Sequence, residues 1–396
     1  MIVEFKENLW DNKIIFINTT YIFNGVDWII DKEEIIQKIM KISDNNVVFH
    51  TLDSSENYGI EDICNKDVVT SKYLANYIND IEKKYNVKIE LILERKSKHL
   101  YSFKDKSFKK DETYYIFSFN IIYNNKSIIN DYFVINYIKD IKKKIDRMTE
   151  YLENYFLEKE HIKDIYKKNI KFNSESTGFF FHEFVGHFLE EDFYYKSPLC
   201  NKKKEPFFPE NLNIIENYLI TNKVQDDMND VVEKNIHLIE NGKIKNVLST
   251  HLSSTLYNNK KISGNTVITS DKTCLHPRMN HMYVYNSCKK EITYDIDLYI
   301  DKISMGEVNT FTGDFSIEVI SSYSIKDKEK KSYYPFMLNF NILDMINYKI
   351  DLNDDYETYE NLCFKSGSVC KVRYTCPSLI LNLKSGENCN ENNNIL

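Results

Sequence analysis

Glycine and proline are scarce in this sequence, 10 and 6 among 396 residues. No Pro- or Gly-rich linker therefore marks a domain boundary, and any division has to be read from pattern. Long apolar runs are missing too: no uninterrupted stretch approaches the roughly 20 residues a membrane-crossing helix needs. Nor is there an excess of basic charge. Lys and Arg number 52 against 59 Asp and Glu, a formal charge of −7, and the lysine runs at 142–144 and 202–204 sit among acidic residues. That argues against nucleic acid as a partner, because phosphates call for a basic face. The opening residues, MIVEFKENLWDNK, lack the basic start and apolar segment of a secretory signal. The expectation is a soluble, cytoplasmic protein with no membrane association. In that compartment the eight cysteines (64, 200, 274, 288, 363, 370, 376 and 389) read as reduced thiols or metal ligands rather than disulfides.

Hydrophobic residues make up 42% of the chain, enough for real cores, and the length suits one large or two ordinary domains. The first part mixes short strand-like and helical runs. Residues 90–94 (ELILE) and 114–123 (YYIFSFNIIY) are rich in β-branched and aromatic residues, and Asn124-Asn125-Lys126 separates the second run from 128–135 in the manner of a hairpin. Apolar residues then recur at Ile138, Ile141, Ile145, Met148, Leu152 and Tyr155, a spacing that predicts an amphipathic helix of roughly six turns. Turn and cap residues at 173–178 precede a nearly apolar segment, 179–189, which predicts a buried helix. Downstream, 236–239 and 244–248 flank Asn241-Gly242, the strongest short-range hairpin signal in the chain. Further alternating stretches at 282–285, 315–323 and 379–383 make the second half β-rich. The expected architecture is α+β: a mixed N-terminal domain (1–165) followed by a β-rich C-terminal catalytic domain (166–396) built around the buried helix.

Residues 181–192 read FHEFVGHFLEED. Two histidines with a glutamate beside the first are what hydrolytic zinc chemistry needs: neutral imidazoles hold the ion, and a carboxylate takes a proton from water. His182 and His187 are five residues apart, however, and on a regular α-helix they would point about 140° away from each other. Sharing one metal then requires an extra residue taken in as a π-bulge, which Gly186 makes easier. A third protein ligand should leave a position open for water. Glu190, Glu191, Asp192 and Cys363 are candidates, and pattern alone does not choose among them.

Four segments in order resemble the TldD/PmbA family of metallopeptidases. His182-Glu183-Phe184-Val185-Gly186-His187, with Leu189-Glu190 and Asp192-Phe193 behind it, resembles that family's H-E-x-x-x-H signature and acidic extension. Pro277-Arg278-Met279 with Tyr283 is the second segment. Residues 306–315 (GEVNTFTGDF) are similar to the family's Gly-x-Val-[Asp/Asn]-x-x-[Thr/Ser]-Gly-x-Phe element. Cys363-Phe364-Lys365-Ser366-Gly367-Ser368 resembles its C-G-K-x-G-Q element, with Phe364 in place of Gly and Ser368 in place of Gln.

The resemblance implies Zn²⁺ held by His182, His187 and Cys363, with Glu183 as the general base of peptide hydrolysis. Arg278 is a candidate for binding substrate, although a structural ion pair accounts for it equally well. His276 and His281 flank it without ligand spacing. The family further implies unfolded peptides as substrates, for maturation of ribosomally made peptides or for peptide clearance. It also implies a homodimer, or a heterodimer with a TldD/PmbA-like paralogue. The competing reading is a non-catalytic peptide-binding or scaffold subunit of such a dimer, which would not need the ligands and Glu183.

Overall fold

Val87, Ile89, Leu91 and Leu93 are buried while Lys88, Glu90 and Ile92 are exposed. This is the period of two that gives a strand one apolar and one polar face. In the computed structural model the pattern opens the strand Lys88–Ser102. The structure describes residues 12–23, 28–43, 46–52, 72–102, 107–136, 140–202, 207–216, 235–257, 263, 265–267, 276–287, 295–326, 329–365 and 368–383. Those up to Leu152 form one compact unit and those from Glu153 onward another.

The first unit is an antiparallel six-stranded sheet with helices. In spatial order its strands are Asn46–Leu52, Trp28–Ser43, Asn12–Phe23, Lys88–Ser102, Ser107–Tyr123 and Lys126–Ile135. The hairpin expected around Asn124-Asn125 is present. Both residues have positive φ, 49° and 59°, as a two-residue turn matched to strand twist requires. The helix Ile141–Phe156 buries Ile141, Ile145, Met148, Tyr151 and Leu152, and Tyr151 stacks on Phe133 of the sheet at 6.2 Å. Two expectations need correction. The helix has 16 residues, about four and a half turns rather than six, and Ile138 lies outside the described residues. The runs read at 90–94 and 114–123 belong to longer strands, of 15 and 17 residues, because pairing with the neighbouring strand continues beyond the apolar stretch.

The second unit holds an eight-stranded and a six-stranded sheet. One runs in spatial order Lys349–Leu352, Leu379–Asn382, Asn169–Phe172, Leu298–Asn309, Asp314–Lys326, Glu329–Tyr333 and Lys159–Glu160, with Phe336–Asn341 also paired to Asp314–Lys326. The other runs Lys243–Ile244, Ile236–Glu240, Leu212–Glu216, His281–Asn286, Ser368–Cys376 and Glu357–Lys365. The helix Ser174–Phe181 packs against strands of both sheets. Its Phe180 lies 5.3 Å from Phe172, 5.2 Å from Phe184 and 5.9 Å from Phe315, ring centre to ring centre. Each fully buried Phe contributes about 1.5–3 kcal/mol by leaving water, and this cluster fixes the depth of the helix in the core. The alternating stretches at 282–285 and 315–323 fall on strands, and that at 379–383 does so as far as Asn382.

The Asn241-Gly242 hairpin is present, with φ of 50° and 72°, but its second strand ends at Ile244 instead of reaching 248. Beyond it the chain leaves the hairpin for a different partner: Leu248 N–H donates to the Leu189 carbonyl, and Glu191 N–H to the Leu248 carbonyl. No helix among the described residues is long and apolar enough to cross a membrane.

Candidate metal centre

Asn173 begins the helix that carries the histidines: its side-chain oxygen accepts from Ser176 N–H at 2.8 Å, which satisfies one of the free donors of the first turn. The helix is regular through Phe181 and then widens into a π turn over His182–Gly186. There His187 N–H donates to the carbonyl of His182, five residues back. One residue is thereby taken in, and His187 returns to the face an i+4 residue would occupy. The two imidazole centres are 4.7 Å apart, with planes inclined at 77°. Gly186 is needed for close approach: a Cβ there would stand 2.1 Å from Met279 Sδ. A single 3₁₀ turn follows, and Glu190 is extended before the short helix Glu191–Tyr194.

Cys363 comes from the strand Glu357–Lys365, in which Cys363 and Lys365 are buried and Phe364 between them is exposed. Its Sγ lies 3.7 Å from His187 Nε2. Ligand atoms of His182, His187 and Cys363 all fall within 4.8 Å of one another, and the three side chains are buried. Among the described residues this is the one group of His, Cys or acidic side chains so arranged.

The other candidates for third ligand have different partners. Glu190, with no exposed surface, stands 3.1 Å from His187 Nδ1 and accepts from Lys365 Nζ at 2.7 Å. Burial alone would raise its carboxyl, but the charges of Lys365 and His187 hold it down at about 2. Asp192 takes Lys365 Nζ at 2.9 Å and His276 Nδ1 at 3.0 Å. Glu191 accepts from the Ser253 hydroxyl at 2.6 Å and that of Ser254 at 3.3 Å. His281 lies elsewhere in the unit, 2.8 Å from Thr375 Oγ1, and burial holds it at about 3.

The remaining residues shape the neighbourhood of the three ligands. Glu183 is 7% exposed, and its Oε2 is 3.9 Å from His187 Nε2. Burial raises its carboxyl above the ordinary range, with His187 opposing and Glu190 adding to the rise. Gly306 makes room for it: a Cβ there would stand 2.5 Å from Glu183 Cγ. Arg278 is buried and directed at protein atoms, Nη1 3.3 Å from Cys363 Sγ and Nη2 2.9 Å from the Lys365 carbonyl.

The donor set fits a metal ion. Two imidazoles and a thiol suit zinc better than a hard cation such as magnesium. His182 Nδ1 is buried without a hydrogen-bond partner in the protein. Glu190 holds His187 Nδ1 and raises the imidazole, so a metal bound at Nε2 would displace the proton there. Burial also keeps His182 neutral, with the neighbouring charge of His187 acting in the same direction.

Sequence reasoning missed Lys365 as the cation between Glu190 and Asp192, although a signal was available: two residues beyond Cys363 on a strand, it must share that face. It also missed the reason for Gly306 and the contact of Arg278 with sulfur. These depend on strands far away in the chain and leave no local trace.

A family model described as the PmbA/TldA metallopeptidase C-terminal domain matches residues 167–384. No curated protein matches this chain. TldE from Thermococcus kodakarensis has a similar structure, with TM-score 0.61 and 12% identity over 94% of this chain and 96% of that one. So does a protein from Thermotoga maritima described as a modulator of DNA gyrase, with TM-score 0.61 and 11% identity over 94% of each chain. Another with that description, from Bacteroides thetaiotaomicron, has TM-score 0.57 and 11% identity over 95% of this chain and 94% of that one. At such identities the likeness is one of α+β fold, and it spans nearly the whole chain. The family match, by contrast, covers more than half of the sequence and contains all three metal-ligand candidates, so this chain belongs to the PmbA/TldD metallopeptidase family.

Proposed function

We propose that this chain is a zinc-dependent peptidase in which His182, His187 and Cys363 hold the metal and Glu183 is the general base. The observation that carries the reading is the convergence of three buried ligand side chains within 4.8 Å through a π turn. Zinc held there supplies Lewis acidity toward water and a peptide carbonyl. Glu183 takes the proton from the attacking water and passes it to the leaving amine. Its burial raises its carboxyl, which makes it a stronger base than an exposed glutamate. Glu190 orients His187, and Lys365 keeps Glu190 ionised as the acceptor. Arg278 holds the sulfur ligand, in place of the substrate contact considered from the sequence.

The substrate class in this reading is unfolded peptide, gripped as an added strand through its main chain. The strand carrying Cys363 ends its sheet among the described residues, which offers an edge for that purpose. Maturation or clearance of peptides in the cytoplasm, by a dimer of this chain with itself or with a family paralogue, belongs to the same reading.

The test is Glu183→Gln. Metal analysis should give about one zinc per chain in both wild type and variant, while cleavage of an unfolded peptide falls at least ~100-fold. A variant that cuts at the wild-type rate would remove Glu183 from its role. A wild type that binds no metal would favour the scaffold reading.

A further inference from the structure

Cys370 is a buried free thiol with no part in the proposed mechanism. It lies directly across the hairpin from Cys363: the strands Glu357–Lys365 and Ser368–Cys376 are antiparallel, and Cys363 and Cys370 are register partners. Directly opposed residues of an antiparallel pair have Cα atoms about 4.5–5.5 Å apart, inside the range of about 4.4–6.8 Å that a disulfide spans. Cys370 does not belong to the group of ligand atoms that His182, His187 and Cys363 form. It is therefore a neighbour of the sulfur ligand rather than a fourth ligand. Arg278 Nη1 lies 3.3 Å from Cys363 Sγ, so a cation stands beside the pair.

We propose that Cys363 and Cys370 form a reversible dithiol–disulfide pair, a modification site whose oxidised state withdraws Cys363 from the metal. The oxidant class is a peroxide. One thiolate attacks a peroxide oxygen, forming an S–O bond and breaking O–O, and the departing hydroxide takes up a proton as water. The second thiolate then attacks the sulfenic sulfur, forming S–S and breaking S–O, and a second water leaves. The two thiols together lose two electrons, and the peroxide gains them. A sulfur in a disulfide no longer offers the anionic donor that zinc requires, so two histidines alone remain. Thiol–disulfide exchange with a dithiol reductant returns both thiols. The consequence for the metal rests on the proposed function, while the disulfide itself does not.

The experiment treats metal-free protein with hydrogen peroxide, maps disulfides by peptide mass, and measures zinc affinity before and after. Expected in wild type are a Cys363–Cys370 crosslink and loss of two thiols. Zinc affinity should drop by at least the ~10–100-fold that losing an outer partner of a ligand costs. A dithiol reductant should reverse all of these. Cys370→Ala should bind zinc like the reduced wild type and form no crosslink, with Cys370→Ser in its place should the first fail to fold. A map showing Cys363 joined to another cysteine, or both thiols still free, would overturn the proposal, as would a crosslinked protein that binds zinc as tightly as the reduced one. Reduced protein that binds no zinc would sink the metal reading, and with it the withdrawal of a ligand, while the map would still report on the disulfide.

Discussion

Glu183 and Lys365 are charged side chains in a core, and each is tolerated for a different reason. Glu183 is accommodated by an absent side chain at Gly306, where a Cβ would stand 2.5 Å from its Cγ. Gly306→Ala is therefore expected to displace the carboxylate and lower peptide cleavage about 100-fold, the cost of a misplacement near one ångström, while zinc content measured by metal analysis stays at the wild-type level. Unchanged cleavage would mean that Glu183 has room elsewhere. Lys365 is tolerated because Glu190 and Asp192 surround its ammonium at 2.7 and 2.9 Å. Lys365→Met removes the nearest cation from buried Glu190 and leaves it only His187 and Arg278. A loss of about 3–5 kcal/mol is expected, as when one partner of a buried pair is removed, read as a lower midpoint in urea unfolding. A midpoint within error of wild type would show that His187 and Arg278 suffice for Glu190.

The π turn ends at Gly186, which packs directly against a distant side chain. Gly186 and Met279 meet so closely that a Cβ on the glycine would lie 2.1 Å from Sδ and 2.6 Å from Cε. Gly186→Ala should cost about 1–3 kcal/mol through overpacking, seen as a lower melting temperature, and Met279→Ala in the same chain should recover part of it. Absence of recovery would place the strain in the helix rather than at this contact. Much of the local architecture was legible. The Asn173 cap, the Asn124-Asn125 and Asn241-Gly242 turns and the alternating strands are set by backbone torsions and hydrogen bonds between near neighbours. The early end of the strand at Ile244 was not legible, because Leu248 is claimed by the backbone of Leu189 and Glu191, and that competition arises only once distant segments meet.

At the scale of the molecule, one buried histidine, His281, makes stability depend on pH. Burial, with Arg373 nearby, depresses His281 from 6.5 to about 3. Above pH 6.5 the folded and unfolded states both keep it neutral, and its contribution is complete. As pH falls from about 6.5 toward 3, the unfolded chain takes up a proton that the folded chain refuses, so stability declines. Urea unfolding at several pH values should show a shallower decline across that window for His281→Gln than for wild type. Parallel curves would assign the acid sensitivity to other groups. By itself the sequence determined that two histidines flank a glutamate at a spacing that needs a bulge if they are to meet, because spacing along one helix fixes which way side chains point, and its resemblance to the family named Cys363. Only the tertiary structure shows Cys363 beside His187, gives Glu190, Glu191 and Asp192 other partners, and sets Cys370 opposite Cys363. Those outcomes depend on sheet register and on contacts between residues some 170 positions apart in the chain, where neither periodicity nor local hydrogen bonding carries information.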